Sequence, residues 1–169
     1  MSRMDEHFMY FAFGSNLFGR RLWLNNPSAS FHIVGRLKDY ELKFGYSGDN
    51  VSTSWHGGSA TIEHCPGSEV WGAVWTINNA NLSTLDKQEG VARGLHTPLE
   101  VSVETEYGPQ LCRTYQMNHF RASLTSPQYK KVVCLGAEES GLPAEYLNKL
   151  NSIETNGYSG PSILDEIDI

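Results

Sequence analysis

Between the N-terminus and Met117, short runs of aromatic and β-branched residues recur, at residues 8–13, 30–37, 40–45, 59–64, 69–77, 95–104 and 110–117, with turn signals between them. Runs of this length and composition fit a pleated, half-buried surface and read as strands. Cys65-Pro66-Gly67-Ser68-Glu69 and Glu106-Tyr107-Gly108-Pro109-Gln110 carry the residues of tight turns, so each predicts a hairpin joining the strands on either side. Helical stretches fall at 17–25, 79–89, 127–134 and 143–153, the last two opened by Pro127 and Pro143, whose missing N–H costs nothing in a first turn. Strands in the middle with helices at intervals predict an α+β domain whose sheet curls toward a barrel. With 169 residues the chain is long enough for one sizeable core and too short for two ordinary ones, so 1–169 reads as a single domain. After Tyr158 no period is visible, and that tail is expected to be mobile.

Charge narrows the partners. A net charge of −6 disfavours nucleic acid and anionic membranes, both of which require basic surface, and a small-molecule substrate is expected. No run approaches transmembrane length, and the acidic Asp5-Glu6 before the first apolar stretch makes a poor signal peptide, which places the chain in the cytoplasm. Cys65, Cys112 and Cys134 are widely spaced, odd in number and form no C-x-x-C, which fits reduced thiols. Asn50-Val51-Ser52 and Asn81-Leu82-Ser83 spell the glycosylation triplet, without consequence in a chain that is not secreted. His7, His32, His64, His96 and His119 show no metal-ligand spacing, and no metal is expected.

Two segments carry chemistry. The first is Phe8 to Leu24, where a strand-like run breaks at Gly14-Ser15-Asn16 and restarts as a basic helix. Gly14 and Gly19 have the spacing of a phosphate-binding loop, but Arg20 and Arg21 stand where its Lys and Ser/Thr are needed. What survives is a glycine turn with backbone N–H groups suited to a carboxylate or a developing oxyanion; the plainer reading is a strand-turn-helix corner with Asn16 as N-cap. The second is Asn78 to Gly90. Leu82 and Leu85 start an apolar stripe that lands, seven residues on from Leu82, on Glu89, and Gly90 follows where a helix ends. Burial and the negative end of the helix dipole both raise a carboxyl pKa, so Glu89 reads as a general base poised near neutral pH. Asp86 is a rival at the edge of the same stripe. His56, before Gly57-Gly58, reads as structural; Tyr115 and Tyr129 are further hydrogen-bonding candidates; and the G-x-S-x-G nucleophile elbow is missing.

Taken together, the segments FAFGSNL, NPSASF, WHGGSATI, EVWGAVW, LDKQEGV and SPQYKKV with GLPAEYLNKL resemble the γ-glutamylcyclotransferase family over nearly the whole chain, from Phe8 to Gly160. The resemblance implies a small mixed β-barrel flanked by helices, often homodimeric. It implies a cytoplasmic, cofactor-independent lyase of glutathione metabolism and the γ-glutamyl cycle, which converts γ-glutamyl amino acids to 5-oxoproline and a free amino acid. The family's Tyr-Phe-Ala-Tyr-Gly-Ser turn maps onto Tyr10, Phe11, Ala12, Phe13, Gly14 and Ser15 as substrate-binding residues, its catalytic glutamate onto Glu89, and its substrate-contacting tyrosine onto Tyr129. Intramolecular aminolysis follows, with Glu89 as general acid/base and Asn16, His96 and Tyr115 as further site candidates.

Two positions depart from that pattern. Phe13 stands where the family usually has tyrosine, and His96 where tyrosine commonly follows the Gln-Glu-Gly-Val motif. His96 is expected to replace part of the lost polar contact and to bring a titration near neutrality. The alternative these substitutions imply is a weakly active or inactive homologue that binds a γ-glutamyl ligand as an interaction module. Sibling activities on γ-glutamyl-ε-lysine or on glutathione are a third reading, and Asn16 argues against the glutathione branch.

Overall fold

The structure, a computed structural model, describes residues 6–49 and 54–162. Its strands are β1 (His7–Ala12), β2 (Ser30–Ser47), β3 (Ser59–Asn78), β4 (His96–Thr105), β5 (Gly108–Met117) and β6 (Phe120–Ala122). Its helices are α1 (Gly19–Trp23), α2 (Leu82–Gln88), α3 (Pro127–Ser140) and α4 (Ala144–Asn151), with single 3₁₀ turns at Ser15–Leu17, Asn79–Asn81 and Val91–Arg93.

The sheet order is β3-β1-β5-β4-β2, and β2 pairs back onto β3, which closes a five-stranded barrel; β6 lies on the outer part of β2. All neighbours are antiparallel except β1 and β5. This is the mixed barrel that the family resemblance implies, and it bears out the α+β sheet curled toward a barrel that the strand pattern predicts. Closure leaves the five ring strands no open edge, and their inward side chains fill the interior. Phe11 and Val74, opposite each other on β1 and β3, and Val103 on β4 are wholly buried. Two seams are thin. β1 meets β5 through Tyr10 and Arg113, and β2 meets β4 through Arg36 and Glu104.

One hairpin is where it was expected, and the other is not. Glu106-Tyr107 is the two-residue loop of β4 and β5, closing on Thr105 paired with Gly108. The Pro66-Gly67 segment, by contrast, does not reverse the chain. Lys38 pairs with Glu69 and Tyr40 with His64, so Asp39 alone opposes Cys65 to Ser68, and the four predicted strands are the two continuous strands β2 and β3. Asp39 takes a left-handed conformation (φ 67°), and its Oδ1 accepts the Gly67 N–H at 3.0 Å. Each flank of the Pro-Gly pair finds its partner in β2 rather than in the other flank, which turns a would-be hairpin into a large bulge that bends both strands.

The helices pack outside the ring and brace one end of it. α3 begins with Ser126 as N-cap, its Oγ accepting the Tyr129 N–H at 3.1 Å, and with Pro127 in the first turn. Helix α3 presses on the turn after β1 at Gly136, where a Cβ would lie 2.4 Å from the Leu17 carbonyl carbon and the Phe18 nitrogen. No helix of the described residues is long and apolar enough to cross a membrane. The glycosylation triplet at 50–52 and, from residue 163, the tail expected to be mobile lie outside the described residues.

Candidate active site

The Gly14 turn, the end of α2 and the start of α3 converge on a narrow cavity at the rim of the barrel. Tyr10, Phe13, Gly14, Ser15, Asn16, Ala60, Glu89, His96, Tyr115 and Tyr129 line it.

Glu89 stands at the C-cap of α2, with Gly90 in the left-handed conformation (φ 69°) directly after it. The stripe reading holds in space, since Leu85 is wholly buried one turn earlier and Glu89 is half-buried with its side chain on the cavity. Burial raises the Glu89 pKa above the ordinary carboxylate value, and the Asp86 charge adds to this; His96 and Arg21 pull against it. His96 is tied to the same chain end, its Nδ1 lying 2.7 Å from the Glu89 backbone carbonyl.

Two tyrosines supply hydroxyl donors. Tyr129, in the first turn of α3, receives the Ala60 N–H at 3.0 Å and the Ser15 N–H at 3.4 Å on its oxygen. Tyr10 receives Asn16 Nδ2 at 3.0 Å. In both, protein donors reach the oxygen, which leaves the hydroxyl hydrogen as the group's own remaining donor. Burial is the main cause that raises both pKa values, with Glu89 adding to it, and both phenols therefore stay protonated and donating. The turn differs from expectation in this respect: the Ser15 N–H is directed at the Tyr129 oxygen, and the phenol carries a donor onward into the cavity. Gly14 is required for that approach, because a Cβ would lie 2.8 Å from Tyr129 Oη and 3.0 Å from Ala60 Cβ.

A chain of uncharged hydrogen bonds locks the turn to α2. Asn16 Nδ2 donates to Tyr10, Gln88 Nε2 to Asn16 Oδ1 at 3.0 Å, Asn26 Nδ2 to Gln88 Oε1 at 3.0 Å, and Thr84 Oγ1 to Asn26 Oδ1 at 3.0 Å. Asn16 is therefore not an N-cap, since the chain passes through a 3₁₀ turn before α1 begins at Gly19. Asp86 is committed elsewhere. Both its oxygens accept Arg113 Nη2 at 2.9 Å, and its Oδ1 also accepts the Tyr115 hydroxyl in a very short hydrogen bond. These bonds occupy both carboxylate oxygens, and the clamp fixes Tyr115 in the cavity wall.

Of the residues singled out from sequence, Tyr10, Phe13, Gly14, Ser15, Asn16, Glu89, His96, Tyr115 and Tyr129 meet at the cavity, while Phe11 and Ala12 do not line it and are wholly buried in the core. His56 is structural: its carbonyl accepts Asn156 Nδ2 at 2.8 Å and its ring stacks on Tyr158 at 4.4 Å. Ala60, Gln88 and Arg113 went unnoticed in the sequence, because an alanine whose backbone does the work, and polar residues acting through partners distant in sequence, leave no local pattern. Among the described residues no cluster of three His, Cys, Asp or Glu could hold a metal.

Residues 69–150 match the AIG2-like family. A protein from Bos taurus named γ-glutamylcyclotransferase is 54% identical over 168 residues, which covers 99% of this chain and 89% of the relative. The Homo sapiens protein of the same name is 50% identical over 165 residues, covering 97% of this chain and 87% of the relative. A solved structure titled γ-glutamyl cyclotransferase superposes with a TM-score of 0.91 at 48% identity, over 95% of this chain and 97% of the other. Identity of this extent, over a shared fold and nearly the full length, shows that the chain belongs to the γ-glutamylcyclotransferase family.

Proposed function

We propose that this chain is a γ-glutamylcyclotransferase that converts γ-glutamyl amino acids to 5-oxoproline and the free amino acid, with Glu89 as general acid/base. The observation that carries this reading is a carboxylate of raised pKa sharing a narrow cavity with two tyrosines whose hydroxyl oxygens already accept protein N–H groups.

Glu89 takes a proton from the substrate's α-ammonium. The freed amine attacks the γ-carbonyl carbon, and the carbonyl oxygen becomes an oxyanion as the five-membered ring closes. Tyr10 and Tyr129 donate to that oxyanion, a kind of stabilisation whose loss typically costs about 10²–10³-fold in rate. Glu89 then delivers its proton to the leaving nitrogen, the oxyanion re-forms the carbonyl as the carbon–nitrogen bond breaks, the ring nitrogen gives up its second proton, which the released amine takes up, and 5-oxoproline and the amino acid separate. Because nucleophile and electrophile belong to one molecule, a narrow cavity that enforces the folded conformer contributes much of the acceleration. One carboxyl group that first accepts and then donates needs a pKa closer to neutrality than an exposed glutamate has, and burial of Glu89 provides that shift.

The test is 5-oxoproline release from γ-glutamyl-alanine, γ-glutamyl-ε-lysine and glutathione by the wild type and by Glu89→Gln. Release is expected from γ-glutamyl-alanine and should fall by at least about 10³-fold in the variant, toward the upper end of what acid–base groups contribute. A folded wild type that binds a γ-glutamyl compound but releases no 5-oxoproline would favour the second reading, a binding module. Phe13 and His96, both on the cavity wall, are the features that favour it.

A further inference from the structure

A second cavity, of about 290 Å³, adjoins the one at Glu89. His96 lines both, and at two further points chain neighbours divide between them: Gln88 and Ser59 line the outer cavity, Glu89 and Ala60 the inner. Leu95 and Met117 give the outer cavity an apolar wall, and Arg93 is the one residue of permanent charge among the described residues that line it. Arg93 ends the 3₁₀ turn Val91–Arg93, which runs between two left-handed glycines, Gly90 (φ 69°) and Gly94 (φ 74°). The turn is fastened on both sides, since the Leu95 N–H donates to the Gly90 carbonyl at 3.0 Å and Asn118 Nδ2 donates to the Gly94 carbonyl at 3.0 Å. The backbone of Arg93 is thereby held close after Glu89, while its side chain is exposed and pairs with no carboxylate among the described residues. Arg93 also borders a hollow outside α2, but that one does not reach His96.

The chemistry proposed above needs a second space of this kind. Glu89 hands its proton to the leaving nitrogen, so that nitrogen stands in the inner cavity and the rest of the leaving group must extend out of it. The cavity on the other side of His96 is the adjoining room. A leaving α-amino acid carries its carboxylate on the carbon next to the nitrogen, and so brings a negative charge into that room. We propose that the outer cavity is the subsite for the leaving amino acid and that Arg93 binds its α-carboxylate, which makes the site favour α-amino acids over amines that lack one. A guanidinium suits a carboxylate in two-point contact, and no acidic side chain among the described lining residues competes for it. Leu95 and Met117 are left to receive the amino acid's side chain, and a methionine adapts to more than one shape, so the side chain is read loosely and the carboxylate closely.

This inference rests on the cyclotransferase reading, and its test separates the two. Turnover of γ-glutamyl-alanine is measured for the wild type, Arg93→Lys and Arg93→Gln, together with competitive inhibition of that turnover by γ-glutamyl-ethylamide, which matches the alanine substrate but lacks the leaving group's carboxylate. Inhibition reads the affinity of the ethylamide whether or not it is itself cleaved. Arg93→Gln should raise KM for γ-glutamyl-alanine about tenfold with kcat unchanged, the lower end for a hydrogen bond to a charged group because the side chain is exposed. Inhibition by γ-glutamyl-ethylamide should stay as it is in the wild type. Arg93→Lys keeps the charge without the fork and should fall between. An unchanged KM in Arg93→Gln, or equal weakening of substrate and ethylamide, would overturn the assignment while leaving the cyclotransferase standing. A wild type that releases no 5-oxoproline from γ-glutamyl-alanine would remove both.

Discussion

Tyr129 shows how much one side chain can be asked to do. Its backbone N–H is held by the Ser126 cap, its ring packs against Trp55 and Phe44, and its hydroxyl oxygen collects two N–H groups at the cavity wall. Tyr129→Phe should therefore carry two separable costs. Stability should fall by about 1–3 kcal/mol, because the buried Ala60 N–H loses its acceptor, and kcat should fall by about 10²-fold, because an oxyanion donor is gone. Denaturant titration reads the first and product release the second; a full loss of stability with kcat intact would remove Tyr129 from the oxyanion site. The tyrosine itself was legible as a hydrogen-bonding candidate, and the donor role proposed for it was not, since that depends on Ala60 and Ser15 occupying the oxygen.

At the scale of elements, the site is a matter of how the Gly14 turn is registered against α2. Gln88 is the link, bonded to Asn16 on the turn and to Asn26 beyond α1. Gln88→Ala should lower kcat/KM by about tenfold without moving its pH profile, since Glu89 keeps its burial but loses its fixed distance to Tyr10. Asn16→Ala in addition should cost less than the sum of the two single changes, because both break one chain, and a double-mutant cycle on kcat/KM checks this. The helix that carries Glu89 could be read from Leu82, Leu85 and Gly90, since a stripe and a left-handed C-terminal glycine are local signals. The bulge at Asp39 could not. Cys65-Pro66-Gly67-Ser68 has the composition of a hairpin turn, and only the pairing of both flanks with β2, a long-range fact, decides otherwise. The clamp of Asp86 by Arg113 was hidden for the same reason, so Asp86 and Glu89 looked like rivals along one helix until the fold separated them.

At the scale of the whole molecule, the base that the proposed reaction needs is a burden on the fold. Glu89 holds its proton more tightly in the folded state than in the unfolded chain, so its contribution favours folding at low pH and is lost as pH rises through the raised folded pKa. Glu89→Gln removes that dependence. The variant should melt a few degrees above the wild type at pH 8, on a scale of about 2–4 °C per kcal/mol, and the gap should close as pH falls toward 4. Thermal scans across that range check it, and a wild type as stable as the variant at pH 8 would mean that the carboxylate is not strained by its surroundings.

The locking chain of Tyr10, Asn16, Gln88, Asn26 and Thr84 contains no formal charge. Mobile ions screen attraction between charges and have little hold on hydrogen bonds between neutral groups. The distance from the turn to Glu89 is therefore set by bonds that carry no charge for dissolved salt to screen, and the geometry proposed for ring closure is expected to be the same in dilute buffer as in concentrated electrolyte.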